Sequence, residues 1–107
     1  VVVVHGETRQ YLARHPGPEE VALVVEVADT TLQRDRGFKQ RVYARAGIPV
    51  YWIVNLLDRQ CEVYTAPSGP AEQSNYGQRQ VYTASETMPV TIAGIEVGRV
   101  AVRHILP

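Results

Sequence analysis

Two stretches of this chain, VALVVEVA at 21–28 and VYWIVNLL at 50–57, are apolar at successive positions rather than at alternate ones. A strand of that kind needs cover on both faces, so each belongs in the middle of a sheet. The residues between them read as one helix. Thr30 or Thr31 is placed to cap its start, and it runs to about Ala46. Gly47 ends it, with Pro49 just beyond. Strand, helix, strand with helix and sheet in contact is the unit that the rest of the chain must extend.

The extension is read in the same way. Val1–Val4 is a strand ended by Gly6, and residues 7–20, with Pro16, Gly17 and Pro18, are a loop. Asp58 and Arg59 form a tight turn into Cys61–Thr65, which predicts an antiparallel hairpin with the second apolar strand. Gln80–Ala84 and Met88–Ile92 read as short strands around a polar turn, and Gly94–Pro107 as an irregular tail with some strand character. The expected fold class is α/β (α+β): a mixed sheet with one main helix packed on it. A length of 107 residues, 45% of them hydrophobic and 21% charged, fits a single globular domain over 1–107. No apolar run approaches the roughly 20 residues of a membrane helix. One cysteine, Cys61, excludes an intrachain disulfide and a cysteine-cluster zinc site, and a reducing cytoplasm fits best. The chain opens without Met on an apolar run, so a truncated N-terminus is expected.

Charge is balanced overall, 11 basic against 11 acidic, which argues against non-specific polyanion binding. It is not evenly spread. Residues 31–45 hold Arg34, Arg36, Lys39, Arg41 and Arg45 against Asp35 alone, and Lys39 is the only lysine in the chain. At about 100° per residue, Phe38, Val42, Ala46, Leu32 and Tyr43 fall within one arc of about 140°, the expected buried stripe. Asp35 and Lys39 fall inside that arc. Glu26 shares a strand face with Ala22, Val24 and Ala28. A carboxylate there must be paired, hydrogen-bonded or bound to a metal. A salt bridge at the strand end, or a buried Asp35–Lys39 pair fixing the helix to the sheet, would each satisfy these charges. Taken together, carboxylates and one ammonium in a partly closed pocket also suit a divalent cation and a phosphate. On that reading Glu26 and Lys39 approach to about 3–7 Å, a metal and its water layer apart. Arg34, Arg36, Arg41 and Arg45 form an outer rim that could meet a phosphate backbone. His5, His15 and His104 have no ligand spacing, and Tyr51 and Trp52, on opposite strand faces, read as packing.

The run EVADTTLQRDRGFKQRVYARAGIPVYWIVNL, from Glu26 to Leu56, closely resembles the Uma-type restriction endonuclease family of the PD-(D/E)XK nuclease superfamily. The shared features are Glu26-Val27, Asp35, Lys39, Tyr43, Gly47 and Tyr51-Trp52, with the Pro16–Glu20 loop as a further likeness. The resemblance implies a restriction-endonuclease-like core and a DNA endonuclease that depends on Mg²⁺ or Mn²⁺. It implies Glu26 and the backbone carbonyl of Val27 as ligands of the ion. Lys39 would be the catalytic lysine, moved onto the helix because Ala28 stands at the usual strand position. Asp35 would be a catalytic partner of that lysine and Tyr43 a supporting group, while Arg34, Arg36 and Arg41 are expected contacts to DNA on the charge pattern alone. The superfamily's other Asp belongs at or just before the first strand, and none stands at Val1. A non-catalytic relic of the fold, acting as a binding or dimerisation module, is the alternative. DNA is the implied partner, a homodimer the implied assembly, and a membrane is not implied.

Overall fold

In the computed structural model, which describes residues 1–5 and 17–107, seven strands form two sheets among the described residues. The Gly6 stop, most of the 7–20 loop and His15 lie outside the described residues. The main sheet has the order β1 (Val2–Val4), β2 (Val21–Ala28), β3 (Val50–Asn55), β4 (Gln60–Pro67), β5 (Tyr76–Thr83). Only the β2–β3 pair is parallel. Parallel neighbours need a crossover, and the helix between them, α1 (residues 32–45), supplies it. The mixed α+β class expected from the sequence is the one observed.

The two doubly apolar runs sit where cover is available. All six residues of β3 are buried. On one face Tyr51 and Ile53 join Val24, Ala28, Leu32, Ala44, Ile48, Tyr64 and Tyr76 beneath α1. On the other, Val50, Trp52 and Val54 join Leu23, Cys61, Met88, Val102 and Leu106. Tyr51 and Trp52 thus pack on opposite faces. The second layer comes from a ribbon, β6 (Thr87–Ile92) against β7 (Ile95–Ala101), and a 3-10 turn at Val102–His104. The expected strand at Gln80–Ala84 is the end of the longer β5, which pairs with β4 and not with β6. The expected irregular tail contains β7.

Helix α1 differs from the simple wheel. Its turns Leu32–Arg34 and Gln40–Arg45 are α-helical, but Asp35–Lys39 is a π-helical segment. One extra residue in that segment turns everything after it by about 100° relative to a regular helix. The expected stripe is corrected accordingly: Phe38 and Val42 are 56% and 45% exposed and Ala46 is exposed, while Ala44 is fully buried. Leu32 and Asp35, ahead of the extra residue, face the sheet as expected.

The helix ends are specific. Gly47 has φ +74°, its N–H donates to the Ala44 carbonyl, and the N–H of Ile48 donates to the Tyr43 carbonyl, each at 3.1 Å. That is a Schellman stop, and it requires the left-handed conformation that glycine adopts without penalty. At the start Thr31 occupies the cap position, but its hydroxyl does not cap backbone N–H groups. It donates to the Asp35 carboxylate instead, at 3.1 Å.

Candidate active site

Glu26 lies two residues before the end of β2, where the period-2 alternation turns it toward α1 with Val24 and Ala28. From the helix, Lys39 reaches down to it. The ammonium donates to Glu26 Oε2 at 2.5 Å and stands 3.4 Å from Asp35 Oδ1. Tyr43, on the sheet-facing side of α1 as expected, donates to Glu26 Oε1 at 3.4 Å. The four residues singled out as a constellation therefore meet. The contact between Glu26 and Lys39 is direct, closer than the expected metal-and-water separation.

Exposure grades the cluster. The Glu26 and Lys39 side chains are 22% and 31% exposed, whereas that of Asp35 is 1% exposed. Asp35 sits beneath the ammonium. Its Oδ2 accepts from Thr31, and its Oδ1 is buried with an ion-pair contact to Lys39 but no geometrically sound hydrogen bond among the described residues. Hydrogen bonding to Glu26 holds the Lys39 ammonium above the ordinary lysine range, against the opposing pull of burial, with Asp35 adding to the rise. Burial and then the charge of Glu26 push the Tyr43 phenol up.

Oxygen donors for a hard cation are present in part. No group of three or more His, Cys, Asp or Glu side chains that could hold a metal occurs among the described residues. Glu26 offers a carboxylate. Val25 exchanges backbone hydrogen bonds with Val1, so strand alternation directs the Val27 carbonyl toward that same edge of β2. A carboxylate, a backbone carbonyl and solvent are donors that Mg²⁺ accepts.

The arginines separate. Arg34, Arg41 and Arg45 are exposed along α1. Arg36 leaves the expected rim and turns to the sheet. Its Nε donates to Glu62 Oε1 and Oε2 at 3.0 and 3.2 Å, and its Nη2 to Oε2 at 2.5 Å. Glu62 on β4 has no exposed side-chain surface. It also accepts from Asn55 Nδ2 at 3.0 Å and Tyr64 Oη at 2.8 Å, with Arg79 Nη2 at 3.3 Å. Burial alone would raise its carboxyl, but the hydrogen bonds from Arg36, Asn55 and Tyr64 outweigh that and hold it at about 2. Sequence reasoning missed this network. The signal was available: Glu62 shares a strand face with Tyr64 and stands opposite Ile53, so it faces α1 just as Glu26 does.

No helix among the described residues is long and apolar enough to cross a membrane. No curated protein matches the chain. The family model of Uma2, "Putative restriction endonuclease", matches residues 1–99. That span includes the Glu26–Lys39 contact, the π-helical segment and the whole main sheet. The chain belongs to the Uma2 family.

Proposed function

We propose that this is a DNA endonuclease domain that hydrolyses phosphodiester bonds with the help of Mg²⁺ or Mn²⁺. One observation carries the reading: the only lysine of the chain is aimed from a helix at a half-open sheet carboxylate, with a buried aspartate behind it. An ammonium so held is a preorganised partner for negative charge that develops on a phosphoryl oxygen. Glu26 and the Val27 carbonyl would hold the ion, which when bound supplies Lewis-acid polarisation of that oxygen. Asp35 keeps Lys39 charged and limits where it can swing. Tyr43 orients the Glu26 carboxylate. Arg34 and Arg41, with Arg45, stand on the exposed side of α1 and suit contacts to the DNA backbone. Cutting both strands of a duplex calls for two such sites, hence a homodimer.

The test is cleavage of plasmid DNA with Mg²⁺ or Mn²⁺ by the wild type and by Lys39→Ala. The variant should fold and lose about 10²–10³ in rate. Lys39→Arg should fail as well, since a planar guanidinium does not replace a compact ammonium. Equal cleavage by wild type and Lys39→Ala would refute the assignment. A second reading, a non-catalytic binding module of the same fold, draws on the direct Lys39–Glu26 pair, which satisfies both charges without an ion. Calorimetric titration with Mg²⁺ separates the two: heat of binding that disappears in Glu26→Gln supports the enzyme, and none in the wild type supports the module.

A further inference from the structure

The sheet face beneath α1 carries two carboxylates in one row. Glu26 on β2, Ile53 on β3 and Glu62 on β4 are successive register partners, so Glu26 and Glu62 stand two strand spacings apart, about 10 Å. Each takes a cation from the same π-helical segment: Lys39 goes to Glu26 and Arg36 to Glu62. A π-helical turn is rare in itself, so its neighbours must hold it. Two contacts do so at its first residues. Tyr51 Oη donates to the Asp35 carbonyl at 3.0 Å, and both oxygens of Glu62 take the Nε/Nη2 edge of the Arg36 guanidinium. Glu62 is itself immobilised by Asn55 and Tyr64.

We propose that Glu62 is a positioning residue for Lys39: by its two-point grip on Arg36 it fixes the π-helical segment that aims Lys39 and Asp35 at Glu26. A paired guanidinium and carboxylate fix an angle as well as a distance, which a single ammonium contact does not. The contact to Glu26 alone would leave Lys39 free to pivot on its flexible stem. With Arg36 anchored three residues earlier, the backbone beneath Lys39 cannot roll. The claim about geometry stands on these contacts. Its consequence for cleavage rests on the nuclease reading above.

The chain's single lysine makes the test clean, because lysine labelled with ¹³C and ¹⁵N gives one side-chain reporter. In the wild type the two ε-methylene protons of a held Lys39 are inequivalent, and the amides of residues 35–40 exchange slowly. Arg36→Met removes the grip, and leaves Glu62 with Asn55, Tyr64 and Arg79, so the fold should persist. The expected result is collapse of the two ε-proton signals into one and faster exchange at 35–40. Where the wild type cleaves DNA, kcat should fall by about 10²-fold with KM little changed, the signature of misplacement. Loss of a phosphate contact would instead raise KM. Arg79→Met is the control: it removes the other guanidinium from Glu62 without touching α1, so it should lower stability and leave the lysine signals and kcat unchanged. Glu62→Gln, if it folds, should behave as Arg36→Met does. Unchanged lysine signals in Arg36→Met, or the same collapse in Arg79→Met, would overturn the proposal. A wild type that cleaves nothing would overturn the nuclease reading and leave the positioning claim to the lysine signals.

Discussion

Acid should unfold this protein in a way that can be traced to Glu62. In the folded chain its carboxyl is held down to about 2 from an ordinary 4.5: burial opposes this, and hydrogen bonds from Arg36, Asn55 and Tyr64 prevail. A gap of about 2.5 pH units, at about 1.36 kcal/mol each, is a stabilisation of about 3 kcal/mol. Because the folded value is the lower one, that contribution is complete above pH 4.5. It drains away as pH falls from there toward 2. A domain of this size holds about 5–15 kcal/mol in all, so the loss is a large share. The assay is urea unfolding at a series of pH values between 6 and 2, in the wild type and in Glu62→Gln. Trp52, the only tryptophan and 7% exposed in the core, supplies the fluorescence signal. Glu62→Gln should start lower, since it leaves Arg36 and Arg79 facing a neutral group. Below pH 4.5 the two curves should converge, with the wild type losing about 3 kcal/mol more than the variant. Parallel curves would show that Glu62 is not the depressed carboxylate and that the network around it is not charged as the geometry requires.

The rotation of α1 by its π-helical segment is tested by a pair of changes. Ala44→Leu should destabilise by about 1–3 kcal/mol through overpacking, while Val42→Lys should stay within about 0.5 kcal/mol; thermal melts giving the reverse order would restore a regular helix. Gly47→Ala should lower stability by about 1 kcal/mol, because the Schellman stop holds that residue at φ +74° with no packing neighbour in reach. Burial pushes the Cys61 thiol up to about 12, so thiol titration at pH 8 should find it inert until urea exposes it. Fast labelling of the folded protein would contradict its place in the core.

What the sequence discloses and what it hides follow the same physics. The apolar runs that became β2 and β3, the helix between them and the Gly47 stop were legible because each depends on nearby residues. The pairing of β6 with β7 as a hairpin was not. Its two-residue turn, Ala93-Gly94, has φ +52° and +79°, the positive values of a type I′ hairpin, and alanine is a poor signal for that conformation. The first half of β5 was hidden for another reason. Gly77, Gln78 and Arg79 are exposed and carry no apolar side chain, and backbone pairing to β4 continues through them. The π-helical segment leaves no mark in composition at all. It is a shift of hydrogen-bond register that only tertiary contacts can favour, and for that reason Phe38 and Val42 read as core.

The same distinction separates the two carboxylates that face α1. In sequence Glu26 and Glu62 present one anomaly, an acidic residue on a covered strand. In the structure Glu62 is saturated: a guanidinium on both oxygens, an amide, a phenol and a second guanidinium surround it, with no exposed side-chain surface. Nothing more can bind there without displacing a fixed donor. Glu26 has one ammonium and one long contact to a phenol, and 22% of its side chain remains open. On the proposed nuclease reading, Lys39 would exchange Glu26 for a phosphate without unpacking the helix, whereas release of Glu62 by Arg36 would free the proposed support of the segment that carries Lys39. Saturation makes one carboxylate a support, and incomplete coordination leaves the other available for chemistry.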